Sequence, residues 1–142
     1  MHVSAIIGDK GSAVYSVGPG DAVSTAISTL SSKSIGAVLV IENDQVRGVF
    51  SERDVIQALS RVGAGVMSQP VKDFMTTDVV TCQRGDTIDH LMGLMTQKRI
   101  RHLPVIEAGK VVGMISIGDV VKFRIAEAEA EADALKSYIA SG

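Results

Sequence analysis

Tryptophan is absent from this chain of 142 residues, and all aromatic residues together amount to 4%. That scarcity argues against a base-stacking platform for single-stranded RNA or DNA. Neither sign of charge dominates, since 14 Lys and Arg face 16 Asp and Glu for a formal charge of -2. The whole-chain field therefore gives no reason to bind nucleic acid or an anionic membrane. Cysteine occurs once, at Cys82, which excludes an internal disulfide. With no basic segment leading into an apolar stretch at the N-terminus, a reducing compartment and a cytoplasmic location are expected. No run approaches the roughly 18 apolar residues needed to span a bilayer. Enzyme motifs are missing as well: there is no P-loop, no Gly-x-Ser-x-Gly elbow and no His-Glu-x-x-His. Gly63-Ala64-Gly65 lacks the third glycine of a dinucleotide fingerprint. His2, His90, His102 and Cys82 offer no close ligand pair, so no metal is expected. The expectation is a protein that is not an enzyme and has no catalytic residues or catalytic cofactor.

What is present is an apolar fraction of 46%, enough for a sizeable core, and an internal repeat. The length suits one compact domain or two half-size repeats sharing a core. A shift of 65 positions, without gaps, brings Ser51 onto Ser116 and Asp54 onto Asp119. The same shift aligns Gly20 with Gly85, Asp21 with Asp86, Ile35 with Ile100 and Gly48 with Gly113, and the run Val40, Ile41, Glu42 with Val105, Ile106, Glu107. So long and so few a repeat is no solenoid; it suggests two halves packed face to face.

Each half reads strand, helix, strand, strand, helix, an α+β unit. In the second copy a strand at Val79 to Thr81 is followed by a helix opened by Gly85-Asp86, with Ile88, Leu91, Met92 and Met95 at helical spacing. Its counterpart carries Val23, Ala26, Ile27 and Leu30. Two apolar runs then form a hairpin around Glu107 to Lys110, matched by one around Glu42 to Gln45. The small, polar segment Gly63 to Gln69 is the expected linker. After Asp119, Val121, Ile125, Ala128, Ala132, Leu135 and Ile139 form an apolar seam on a helix of about five turns. The expected organisation is 5–64 for the first repeat, 70–126 for the second and 127–142 for a C-terminal helical extension.

Chemistry can reside in the doubled phrases ending Ser51-Glu52-Arg53-Asp54 and Ser116-Ile117-Gly118-Asp119. Ser followed three residues later by an acid caps a helix start. The same carboxylate, one turn into a helix at the end of a strand, can accept hydrogen bonds from the vicinal hydroxyls of a ribose. Phosphate needs cations, and Lys98, Arg99, Arg101 and His102 supply them just before the second hairpin. Such a run is also an ordinary solvated face, but alternation along a strand can aim one of Arg101 and His102 into a crevice. The first copy has Ser34, Ile35, Gly36 and Ala37 there, so phosphate should not be bound equally well in two clefts.

These residues resemble the CBS domains, whose tandem pair is called a Bateman module. Val71 to Thr76, Asp78 to Thr81, Arg101 to Val105 and Gly113 to Asp119 are similar to the family pattern almost throughout the second repeat. The first repeat departs from it, with Lys10-Gly11 in place of Met75-Thr76 and Leu39 in place of Pro104. The resemblance implies two repeats packed with pseudo-twofold symmetry around two clefts that take adenosine compounds of the AMP, ATP, NAD(H) or S-adenosylmethionine kind. It implies a nucleotide site in repeat 2 formed by Thr76, Val80, Ile100, Arg101, His102, Pro104, Ser116 and Asp119. A second site, in repeat 1, would use Tyr15, Ile35, Ala37, Ser51 and Asp54. It further implies a regulatory homodimer that signals to another protein. The alternative is a ligand-independent interaction module, with both phrases serving only as caps and the dimer surface or terminal helix doing the binding.

Overall fold

The computed structural model describes residues 2–10 and 14–141. Of the sequence expectations, Gly11, the Lys10 side chain and the terminal Gly142 lie outside what is described. In chain order the elements are α1 (Val3–Lys10), β1 (Ser16–Val17), α2 (Val23–Lys33), β2 (Ala37–Glu42), β3 (Gln45–Ser51), α3 (Glu52–Val62), α4 (Ile88–Lys98), β4 (His102–Glu107), β5 (Lys110–Ser116) and α5 (Ile117–Ser141). The two hairpins superpose in register, β2 pairing β3 from Ala37–Ser51 to Glu42–Gln45 and β4 pairing β5 from His102–Ser116 to Glu107–Lys110. Each shifts register at the same place, between Val40 and Ile41 or Val105 and Ile106. The loops are two residues shorter than the sequence suggests. Asn43 and Asp44 (φ 53° and 61°) and Ala108 and Gly109 (φ 51° and 77°) make the turns. Positive φ at both central residues is the turn whose twist matches that of the flanking strands, which leaves Glu42, Gln45, Glu107 and Lys110 free to pair.

The strand expected at Val79 to Thr81 is not formed. In the first repeat β1 runs parallel to β2, with Val17 opposite Val40. The matching contact in the second repeat is a single parallel bridge from Cys82 to Val105, held by Cys82 N–H to the Pro104 carbonyl and Ile106 N–H to the Cys82 carbonyl, both 2.9 Å. The helix expected at Gly85-Asp86 starts later: Thr87 caps it, its Oγ1 accepting from His90 N–H at 3.1 Å. Val23, Ala26 and Leu30 of α2 are buried, as are Ile88, Leu91 and Met95 of α4. Met92 is instead exposed.

The halves do not share one core. One cluster gathers Val17, Val23, Ala26, Val38, Val40 and Phe50 of the first repeat, and the other gathers Cys82, Leu91, Leu103, Val105, Ile115 and Val120 of the second. Each is completed by the segment that opens the opposite repeat. Val71 sits in the first core, its N–H bonded to the Asp21 carbonyl at 2.8 Å, whereas Val3, Ile6 and Ile7 of α1 sit in the second, with Val3 N–H on the Asp86 carbonyl at 2.9 Å. Two glycines admit these crossing segments. A Cβ on Gly48 would lie 2.7 Å from both Met75 Sδ and the Thr76 carbonyl oxygen, and one on Gly113 would collide with Ile7. The expected linker is also structured, since Ala64–Ser68 winds into a 3₁₀ turn that buries Val66. An α+β unit this small cannot cover both faces of its sheet, and the exchange supplies the missing cover.

Cys82 lies in the second core, and burial, then the Asp86 carboxylate, push its thiol up to about 12. The unfolded thiol ionises near 8.5, so the unfolded chain is the first to lose this proton as pH rises. The contribution to stability is therefore complete below that pH and is lost as pH climbs towards 12. At pH 8 a disulfide reagent should modify Cys82 in the folded chain on the order of a hundredfold more slowly than in the urea-unfolded chain, because the thiolate is the nucleophile. Equal rates would show that the second core opens readily around it.

Candidate functional site

Alternation along the hairpins decides what faces the space between the repeats. Val38 and Val40 point into the first core and Leu103 and Val105 into the second, so Ala37, Leu39, His102 and Pro104 face the other way. A cavity of about 300 Å³ opens there, lined by Tyr15, Ser34, Ile35, Gly36 and Ala37 from the first repeat and His102, Met114 and Ser116 from the second. That volume lies at the lower end of the range for small-molecule sites. Gly36 has a reason to lack a side chain: a Cβ would come within 3.0 Å of His102 Cε1 and 3.1 Å of Nε2. At the rim, Lys33 Nζ stands 5.2 Å from the centre of the Tyr15 ring.

The cavity corrects the grouping of site residues by repeat. Tyr15, Ile35 and Ala37 were expected beside Ser51 and Asp54, yet they meet Ser116 of the other repeat. Thr76 was expected beside Ser116 and Asp119, yet its Oγ1 donates to Asp54 Oδ1 at 3.0 Å. Thr76 also joins the edge of the first sheet, exchanging N–H···O bonds of 2.9 Å with Val49 in both directions. The cavity is thus assembled from both halves, and the Thr76–Asp54 hydrogen bond joins them as well. For Thr76 the crossing follows from the exchanged segment, whereas Tyr15 and Ala37 stay with their own sheet and meet Ser116 across the space between the repeats.

Both Ser-x-x-Asp phrases cap their helices. Asp54 Oδ2 accepts from Ser51 N–H at 2.8 Å and from Ser51 Oγ–H at 3.0 Å, Oδ1 takes the Thr76 bond, and the residue is 6% exposed. Asp119 Oδ2 accepts from Ser116 N–H at 2.9 Å, and Asp119 N–H donates to Ser116 Oγ at 3.1 Å. Asp119 remains partly exposed beside the cavity. The position that matches Thr76 in the first repeat is Gly11, which carries no hydroxyl.

The remaining expected residues lie apart from the Ser116 cavity. Val80 and Ile100 are half-buried against the second core, and Pro104 is buried. Arg101 is exposed, its carbonyl accepting from Ile117 N–H at 2.8 Å, so alternation has turned His102 rather than Arg101 into this cavity. Arg53 crosses between repeats, Nη1 donating to the Arg99 carbonyl at 3.2 Å. Ser34 and Gly36 entered the sequence reading only as the small-residue counterpart of the basic run, and Met114 was not named as a site residue. The 65-residue shift pairs Gly36 with Arg101 and so marked that position as a difference between the clefts. Nothing in the sequence marked Met114. Among the described residues, no three His, Cys, Asp or Glu come together as metal ligands, and no helix is long and apolar enough to cross a membrane.

Comparison with known proteins agrees with this architecture. The CBS domain family matches at residues 10–61 and again at 71–126. A CBS domain-containing protein of Arabidopsis thaliana, CBSX3, named as mitochondrial, is 34% identical over 127 residues, which cover 86% of this chain and 62% of that protein. The chain therefore spans less than two thirds of that relative. The crystal structure of the CBS-domain containing protein ATU1752 from Agrobacterium tumefaciens is 44% identical with a TM-score of 0.85, covering 87% of this chain and 99% of that one. Two more distant structures share the fold. The Pyrobaculum aerophilum CBS domain protein PAE2072, complexed with AMP, has a TM-score of 0.74 at 20% identity over 84% of this chain and 89% of that one. The CBS domain pair of protein MJ0100, in complex with 5'-methylthioadenosine and S-adenosyl-L-methionine, has a TM-score of 0.80 at 18% identity over 89% and 98%. Two matched segments, two equivalent hairpins and two exchanged leading segments have one reading: this chain is a tandem pair belonging to the CBS domain family.

Proposed function

We propose that this CBS pair is a non-catalytic sensor that binds adenosine compounds of the AMP, ATP or NAD(H) class between its repeats and signals to a partner protein. The observation that carries the reading is the cavity in which Tyr15, Ile35 and Ala37 of one repeat meet Ser116 of the other. It pairs an apolar and aromatic wall with a hydroxyl and the adjoining Asp119 carboxylate, which are the groups a base and a ribose need. The AMP complex of PAE2072 and the nucleoside complex of MJ0100 support the ligand class. A ligand held by both repeats changes their relative geometry if it binds one arrangement better than another, and a partner can read that change. The single buried thiol suits a reducing compartment, the cytoplasm being the simplest case. Calorimetric titration with adenosine, AMP, ATP, NAD(H) and S-adenosylmethionine is the test. Micromolar binding of at least one supports the reading, and no heat from any of them leaves a ligand-independent interaction module in its place.

The homodimer belongs to the same proposal. α5 runs unbroken for 25 residues, so the second helix of the repeat and the extension are one rod. Arg124 ties its first turns to α4 through Asp89 at 2.9 Å. Beyond that point Ile125 (54%), Leu135 (59%), Tyr138 (76%) and Ile139 (68%) are exposed, so the helix does not fold back over its own module. Such a seam gains by packing against another helix. Ending the chain after Phe123 should weaken the dimer, seen as a fall in mass by light scattering on dilution. A truncated chain that stays dimeric would assign association to the module faces.

A further inference from the structure

The pseudo-twofold relation lets each position of one cleft be compared with its counterpart in the other, and the differences are mostly of charge. Where the Ser116 cavity has Ser34 and Gly36, the 65-residue correspondence puts Arg99 and Arg101 at the matching positions on the Thr76–Asp54 side. α5 opens with Gly118 where α3 has Arg53, whose guanidinium is already anchored on the Arg99 carbonyl at 3.2 Å. Lysine does not discriminate, because Lys33 and Lys98 are matched. By that correspondence the Thr76–Asp54 side carries three arginines that the Ser116 side lacks, while the Ser116 cavity is lined by a single imidazole, from His102. A phosphate monoester brings a charge of about −1.5 to −2 and three acceptor oxygens, which guanidinium groups satisfy in pairs. An uncharged nucleoside needs a flat apolar wall and a few donors, and the Ser116 cavity has Tyr15 where the other cleft has Val80.

The geometry points to a division of labour by ligand charge: the Ser116 cavity takes an uncharged nucleoside-type ligand, and the Thr76–Asp54 cleft takes a phosphorylated one. This rests on the sensor reading and deepens it. Differential charge at two sites on one module lets it respond to the ratio of two related compounds.

The test uses the full chain, isotope-labelled for amide NMR and titrated separately with adenosine and AMP, with calorimetry for affinities. Adenosine should move the amide signals of Ile35 and Ser116, and AMP those of Thr76 and Arg101. Replacing the guanidiniums by their counterparts, Arg99→Ser with Arg101→Gly, should lower AMP affinity about tenfold or more and leave adenosine within about twofold. The reciprocal Ser34→Arg should add AMP binding at the Ser116 cavity. The backbone there has φ 53°, against 55° at Arg99, so a position of this kind already holds arginine. If adenosine and AMP move the same amides, or the double substitution weakens both equally, the division is wrong while the sensor reading stands. If neither ligand binds, both are wrong.

Discussion

Asp54→Ala should lower the stability of the folded chain by about 2–4 kcal/mol, combining a lost helix cap with donors left partly buried and unpaired. Its carboxylate accepts three hydrogen bonds, from Ser51 N–H, Ser51 Oγ–H and Thr76 Oγ–H, at 6% exposure. The first two fix the start of α3. The third fastens the exchanged segment, which also carries Val71 into the first core and pairs Thr76 with Val49. Set against a typical stability of 5–15 kcal/mol, that is a large share. The urea midpoint should fall with little change of slope, Asp54→Asn should recover part of the loss by keeping one acceptor oxygen, and Thr76→Val should cost about 1 kcal/mol on its own. An Asp54→Ala chain within about 0.5 kcal/mol of the parent would mean that the exchanged segment is held by its apolar contacts alone.

The repeat was legible because it was written in matched residues at one spacing, and the hairpins because paired apolar runs flank a short segment with turn residues such as Asn43, Asp44 and Gly109. The strand at Val79 to Thr81 was over-read from β-branched residues: only Cys82 reaches the β4 backbone, so the pairing shrinks to one bridge. The exchange of leading segments left no such mark. Val3, Ile6 and Ile7 look the same whether they cover their own sheet or another, and α1 is eight residues long with Gly8 inside it. Missing the exchange misassigned the clefts. Thr76 and Asp119 share a repeat in sequence, whereas Thr76 and Asp54 share a hydrogen bond in space. Strand alternation is a local property, and it turns Ala37 and His102 to the same cavity. Which residues meet across the pseudo-twofold axis was not legible, because nothing local records which sheet a segment crosses to.

Asp119→Ala should lower the affinity for adenosine by about 10- to 150-fold, equivalent to losing roughly 1.5–3 kcal/mol of charge-assisted hydrogen bonding to a ribose. The effect should be large in binding and modest in folding, the reverse of Asp54→Ala. Asp119 caps α5 through Ser116, as Asp54 caps α3 through Ser51, but its position remains partly exposed beside the cavity. A single helix cap is worth about 1 kcal/mol, so the variant should fold and its loss of affinity can be read directly. Because the clefts are crossed, Tyr15→Ala and Asp119→Ala should weaken the same ligand although they lie in different repeats, and Thr76→Val should leave adenosine nearly unaffected. Calorimetry on the three variants separates this arrangement from one in which each repeat carries its own site. A folded Asp119→Ala chain with the parent's adenosine affinity would reduce the carboxylate to a helix cap. Joint loss in Asp119→Ala and Thr76→Val, with Tyr15→Ala silent, would return the site to the second repeat alone.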